Sequence, residues 1–449
     1  MKEKKKLGAL AFLPLVIFLG LYVGCGLAFT LLGTENPFSQ FPRHVALLFG
    51  IVSILFLAPE VKFSDKLDIF CEGMGNPGVM QIVMIYLLAG GFQGAAAAMG
   101  GKDSVINLCL HFIPVSLLVP GVFLICCLIS TAIGTSMGTI AAMAPVAIGV
   151  ASGAQLNLAI VGAAVIGGSY FGDNLSMISD TTISAAKGCG SEMKDKFQMN
   201  FRIAFPAALM AMLIYAILGG KGSGSIQAGS YDIVRVVPYV TVLAAAVSGV
   251  QVFLVLFIGI GLTGIIGILQ GTIGVFEWVQ AIGNGMSDMF SISIVAVLIS
   301  GIIGIVRYLG GVEWLVDTVS SRISSRRGAE YGIGLLSGIL SAALVNNTIG
   351  IIVTCPMAKE IGKKYGIAPK RLASLVDIFA CAFLAVMPHD GGMMIVAEMA
   401  GVSPINIMLH SYYMFFLIIA VCITIHFGLM RTEEEKAEAE REQAGFQKS

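Results

Sequence analysis

Long apolar stretches separated by short polar punctuation run along nearly the whole chain. The clearest lie at 10–33, 45–58, 79–99, 201–218, 252–269, 292–309 and 407–427. About 20 helical residues at 1.5 Å each cross the roughly 30 Å of hydrocarbon in a bilayer. The pattern therefore predicts an all-α polytopic membrane protein. The run at 10–33 follows Lys2, Lys4, Lys5 and Lys6, as the core of a secretory signal would. It is too long for that and lacks a cleavage site, so it reads as the first span.

A longer period overlies the shorter one. Of the eight glycines between Gly73 and Gly101, six meet a glycine 210 positions later. They are Gly73/Gly283, Gly75/Gly285, Gly91/Gly301, Gly94/Gly304, Gly100/Gly310 and Gly101/Gly311. Glycine is 55 of 449 residues, so chance supplies about one such match. After one residue of slippage, Ser130/Ser341, Ala132/Ala343 and Pro145/Pro356 keep an offset of 211. Two copies of one helical unit are expected, at 8–220 and 234–430. A basic segment (1–7) precedes them, a linker (221–233) joins them, and a charged tail (431–449) follows.

One segment in each copy, 115–151 and 331–358, reads as a re-entrant hairpin of two half-helices. Arg326 and Arg327 before the second, and Lys359, Lys363 and Lys364 after it, place both of its ends on one side. Its roughly 28 residues would make arms of about 14, roughly 21 Å each, too short for two full crossings. The polar tips, Thr135-Ser136 and Asn346-Asn347-Thr348, would then lie near the midplane, among broken helices. Five spans and one hairpin per copy is an odd number of crossings, so the second copy is expected to be inverted. A cytoplasmic amino terminus puts the Lys and Arg residues inside, with five exceptions. Arg43, Lys102, Lys221 and Arg235 fall outside, and Arg307 lies near the inner end of a span. Both termini are thus expected in the cytoplasm.

Composition narrows the function. Charged residues are 12% of the chain and hydrophobic ones 57%, against about 25% charged in a soluble domain. Mean hydropathy is +0.89. Net charge is zero, and no nucleic-acid partner is expected; the lipid bilayer is the surrounding medium. No stretch reads GxxxxGK[ST], and no soluble segment is long enough for an ATPase, so a gradient must supply the energy. The nine cysteines are scattered without metal-ligand spacing and read as small buried hydrophobes outside any disulfide framework. Neither a cofactor nor an enzyme activity is expected.

Ionisable residues within spans are costly and mark function. The densest group runs from Gly167 to Thr182. On a continuous helix Asp173, Ser176 and Asp180 fall at i, i+3 and i+7, one polar stripe. Gly167, Gly168 and Gly172 would let that helix open and free carbonyls. With the hydroxyls of Ser179 and Thr181, this makes an all-oxygen site of the kind hard cations prefer. The competing reading is a wet loop whose Asp and Ser cap a helix; apolar residues 158–166 just before it favour the buried site. In the second copy Asp377 and then Met387-Pro388-His389-Asp390-Gly391-Gly392 predict another broken helix. His389 and Asp390 would bind a substrate, relay protons or cap the break, and Asp377 would pair with Lys370 or Arg371. Lys187 reads as a snorkelling end residue, and Tyr170 and Glu398 have no assigned role. No Arg within the spans forms an obvious carboxylate clamp, which favours a cation over an organic anion. Broken helices over a two-fold repeat fit a carrier better than a gated channel. An intramembrane enzyme would need Asp173 beside Asp377 or Asp390.

Tyr170-Phe171-Gly172-Asp173, with Ser176 and Ser179-Asp180-Thr181-Thr182, resembles the signature of the NhaC-type sodium/proton antiporter family of the ion-transporter superfamily. Asn346-Asn347-Thr348, Pro356-Met357-Ala358-Lys359-Glu360-Ile361 and Ser374-Leu375-Val376-Asp377-Ile378-Phe379 are similar to the same family. The resemblance implies a homodimer in the bacterial or archaeal inner membrane that exchanges sodium for protons. It implies that Asp173 and Asp180 ligate sodium, and that the tips complete the site. The alternative is a sodium- or proton-coupled carrier of an amino acid or small carboxylate, held by His389, Asp390 and the second tip.

Overall fold

The computed structural model describes residues 7–32, 34, 40–112, 114–177, 179–219, 230–248 and 250–430, and every regular element among them is helical. The basic residues 1–6, most of the linker and the tail lie outside the described residues. Eight of the described segments are long and apolar enough to cross a membrane.

The first copy runs through α1 (Leu13–Leu31), α2 (Arg43–Ser53), α3 (Phe63–Met74), α4 (Pro77–Ala98) and α5 (Gly101–Phe112). It continues with α6 (Val115–Ile133), α7 (Ser136–Gly153), α8 (Leu158–Leu175), α9 (Asp180–Cys189) and α10 (Met193–Gly219). The second opens with α11 (Ile233–Val247), α12 (Val252–Leu269), α13 (Val275–Asp288), α14 (Phe290–Tyr308) and α15 (Gly311–Ser320). Then follow α16 (Arg326–Leu344), α17 (Asn347–Lys364), α18 (Pro369–Ala385), α19 (Gly391–Ala400), α20 (Pro404–Leu409) and α21 (Tyr412–His426). Adding 211 to the bounds of α6, α7 and α9 reproduces those of α16, α17 and α19. Left-handed backbone recurs in the same register, at Gly100/Gly310, Gly134/Val345, Gln155/Gly366 and Gly190/Gly401.

Packing between the copies is reciprocal. Helix α4 crosses α13 while α3 crosses α14, and α9 lies on α17 and α18 while α19 lies on α7 and α8. The α4–α13 crossing brings backbone onto backbone: a methyl on Gly90 would strike the Gly285 carbonyl, and one on Gly285 the Gly90 carbonyl. Helices α8 and α18 form the centre and are buried on nearly every side. Peripheral α10 shows the inverse of a soluble helix. Phe201, Phe205, Leu209, Leu213 and Ile217 form an exposed apolar stripe at i, i+4, while Ile203, Ala207, Ala211 and Tyr215 face inward. Such a face suits contact with lipid or a partner helix.

Helix pairs α6–α7 and α16–α17 form where hairpins were expected, but their arms are not the half-helices expected. Helices α6 and α7 are each long and apolar enough to cross, so arm length no longer argues for a re-entrant course. Helices α16 and α17 have 19 and 18 residues, about 28 Å each. Charged turns such as Arg326–Glu330 and Lys359–Lys364 extend the apolar arms instead of ending them. At the first tip Gly134 (φ 76°) turns the chain and extended Thr135 caps α7. At the second, Val345 takes the left-handed turn (φ 49°) and Asn346 caps α17 at the Ile349 N–H, 2.9 Å. Left-handed backbone costs a side-chain-bearing residue about 1–2 kcal/mol, so the second tip is held by its packing.

Candidate functional site

Helix α8 ends at Leu175, Ser176 closes it through its N–H on the Gly172 carbonyl (2.7 Å), and α9 starts at Asp180 with Ser179 at its N-cap. The break therefore separates Asp173 from Asp180, and the expected continuous polar stripe does not exist. Nor do the glycines open the helix. Helix α8 is unbroken through Gly167, Gly168 and Gly172, and a methyl on Gly168 or Gly172 would strike the α6 backbone. They are close-packing positions, and the unwinding falls just after them.

Asp173, 2% exposed, sits where the break meets the first hairpin tip. Its Oδ2 accepts from Ser136 Oγ at 2.9 Å and its Oδ1 from Ser179 Oγ at 2.5 Å. Ser179 Oγ also lies 2.7 Å from Thr181 Oγ1. Thr135 contributes by capping α7 and so setting the angle of Ser136. Among the described residues no cation pairs with Asp173, and the like charges of Asp180 and Asp377 act on it. A buried carboxylate without a counter-charge is costly.

Asp180 is exposed and accepts from Thr348 Oγ1 of the second tip at 2.7 Å. Asn347 reaches the other way, its Nδ2 3.8 Å from Cys381 Sγ. The two tips thus serve different carboxylates on either side of the α8–α9 break.

Asp377 is not paired with Lys370 or Arg371. Arg371 is engaged by Glu330, Nη2 to Oε2 at 2.7 Å, and Asp377 Oδ2 meets Lys196 Nζ of α10 at 2.5 Å, both side chains fully buried. Asn174 and Asn200 donate to the same oxygen at 2.8 and 3.0 Å. Lys196 also donates to the Asn174 carbonyl and to Thr182 Oγ1, both at 2.6 Å. The sequence reading missed Lys196 and Asn200 because Lys194-Asp195-Lys196 looks like a loop. The signal was there: Lys196, Asn200 and Ile203 continue the inward face of the apolar run 201–218 one turn and more upstream.

His389 and Asp390 have hydrogen-bond partners other than Asp173. The α18–α19 break forms as expected. Asp390 caps α19 at the Met393 N–H (3.0 Å) and accepts from Tyr170 OH (3.2 Å). His389 Nε2 lies 3.0 Å from the Ala342 carbonyl. Glu398 pairs with Arg43.

This chain belongs to the Na+/H+ antiporter family. The family's model matches residues 7–220 and 227–431. The antiporter is 26% identical to the Na(+)/H(+) antiporter NhaC of Bacillus subtilis, over 80% of this chain and 86% of that one. It is 25% identical to NhaC of Alkalihalophilus pseudofirmus, over 68% and 72%. It is also 26% identical to the Malate-2H(+)/Na(+)-lactate antiporter of Bacillus subtilis, where the match spans 46% of this chain and only 42% of that protein. The chain is thus a multi-pass membrane protein and a secondary antiporter, a transporter rather than an enzyme.

Proposed function

We propose that this antiporter exchanges sodium for protons by alternating access, with Asp173 as the titrating cation ligand. The observation that carries the reading is the Asp173 setting: buried, unpaired with any cation among the described residues, and held by Ser136 and Ser179. Ser179 passes the oxygen shell on to Thr181. A dehydrated sodium ion takes oxygen ligands alone, and a proton is the natural competitor for the same carboxylate. Asp180, with Thr348 at the second tip, is the outer carboxylate of the pathway rather than a second ligand in the same shell.

The two copies, 8–220 and 234–430, are read as inverted about the bilayer plane, with both termini in the cytoplasm of a cell whose inner membrane holds a homodimer. Reciprocal packing at an offset of 210–211 supports that arrangement, since rocking one copy's hairpin against the other would expose Asp173 to either side in turn. The test is a reconstituted one. Liposomes carrying an internal pH dye and an imposed proton gradient should show a pH change on adding sodium, absent in Asp173→Asn. A folded protein giving no sodium response would overturn the reading.

A further inference from the structure

The cysteines read from the sequence as small buried hydrophobes, and at one place the fold brings two of them together. Cys189, the last residue of α9, meets Cys355 of α17, 166 positions away, with Sγ to Sγ at 3.5 Å. Cys189 donates to Cys355, whose own thiol lies 3.8 Å from the Ser184 carbonyl. A methyl on Gly188 would strike the Cys355 side chain, so only glycine there lets α9 come this close. Both thiols are free and buried, in a small apolar cluster shared with Ala185, Ile351 and Ala358. They lie about one turn below a polar rim, where Lys187, Gly190 and Lys359 are exposed. Disulfide sulfurs are about 2.05 Å apart, so an approach of about 1.5 Å would join this pair.

Placement gives such a bond its consequence. Helix α9 has ten residues, about 15 Å, and is short enough to move as one piece. Its N-cap is Ser179, which donates to Asp173, and its first residue, Asp180, accepts from Thr348 at the start of α17. The contact between α9 and α17 therefore has the Asp173 break and the second tip at one end and the two thiols at the other. A covalent bond at the thiol end would fix the first copy's broken helix to the second copy's α16–α17 pair. Lys187, Lys359, Lys363 and Lys364 gather at this end, which on the proposed orientation faces the cytoplasm. Thiols are kept reduced there, and the disulfides that do form are transient and redox-sensing.

We propose that Cys189 and Cys355 form a reversible oxidation site, closed to a disulfide by a hydroperoxide and reopened by a thiol, that arrests exchange by pinning α9 to α17. One thiolate attacks the peroxide, taking an oxygen to become a sulfenic acid while water leaves. The second thiol then attacks that sulfur, forming the S–S bond and releasing a second water. Two thiols are oxidised and one hydrogen peroxide is reduced. The arrest rests on the proposed sodium/proton exchange; the bond itself does not. The experiment treats the full chain in liposomes with hydrogen peroxide and then with dithiothreitol. Mass spectrometry of the alkylated, digested protein should find a Cys189–Cys355 cross-linked peptide after peroxide and none after dithiothreitol. The sodium-triggered pH change should slow about tenfold or more when the bond forms and recover when it is reduced. Cys189→Ala and Cys355→Ala should each exchange like the wild type and lose the peroxide sensitivity, and either carries the test should the other fail to fold. Absence of the cross-linked peptide, a cross-link that leaves exchange unchanged, or peroxide arrest that persists in a folded variant would each overturn the proposal. Protein that forms the cross-link yet gives no sodium response when reduced would support the oxidation site and count against the sodium/proton reading.

Discussion

Two carboxylates lie at the centre of this antiporter, and they are satisfied in opposite ways. Asp377 has its counter-charge built in: Lys196 sits at 2.5 Å, with Asn174 and Asn200 on the same oxygen. Asp173 has only hydroxyls, from Ser136 and Ser179. Hydroxyls can turn their lone pairs to a cation or their hydrogens to the carboxylate, whereas an ammonium can only donate. On the proposed reading the Asp377 cluster is a closed structural pair, and the Asp173 cluster is the one open to exchange.

Removing the counter-charge should break the comparison most severely. Lys196→Met strands Asp377 as an unpaired buried charge, a loss of about 3–5 kcal/mol. Thermal unfolding in detergent would register it as a large fall in Tm. The double variant Lys196→Met/Asp377→Asn should recover most of the stability, because both charges are then gone. If the single variant were as stable as wild type, Asp377 would not depend on Lys196 and the contrast would fail. Asp173→Asn should do the reverse: transport falls at least a hundredfold, while Tm holds or rises because an uncompensated charge has been deleted.

The legible part of the molecule was what local sequence controls. The glycine spacing was legible because close helix crossings, such as Gly73 against Gly301 and Gly304, admit nothing larger. The tips were legible because Thr135 and Asn346 are N-caps, and a polar cap inside an apolar run has few other uses. The α8–α9 break was misplaced because the glycines at 167, 168 and 172 serve a neighbour, α6, that the sequence does not display. Lys196 was missed because its neighbours Lys194 and Asp195 make it look like part of a charged loop, and its meeting with Asp377 is a matter of tertiary packing.

The hydroxyls on Asp173 offer a finer test. Ser136→Ala and Ser179→Ala each remove one oxygen from the proposed cation shell and one donor from the carboxylate. A hydrogen bond to a charged group is worth about 1.5–3 kcal/mol, so each should raise the apparent sodium KM about tenfold or more with the chain still folded. Sodium and protons compete at one carboxylate, so KM should also rise as pH falls, by about tenfold per pH unit where the proton form dominates. A KM independent of pH would separate the proton site from the sodium site and move it away from Asp173.

Asp180 should give the smallest effect, and that small effect discriminates. The continuous-helix reading made Asp180 an equal ligand, in which case Asp180→Asn would cripple transport as Asp173→Asn does. The break at Ser176–Ser179 puts Asp180 on the exposed side, with Thr348 of the second tip as its hydrogen-bond partner at 2.7 Å. Charge there acts on the ion through water, which screens it. The expected change is about two- to threefold in sodium KM, diminishing at high ionic strength, and Thr348→Val should reproduce part of it because the same contact is lost. Salt titration of KM in both variants separates the two geometries: a screened, modest effect places Asp180 at the entrance, whereas a large salt-independent loss would restore it to the coordination shell beside Asp173.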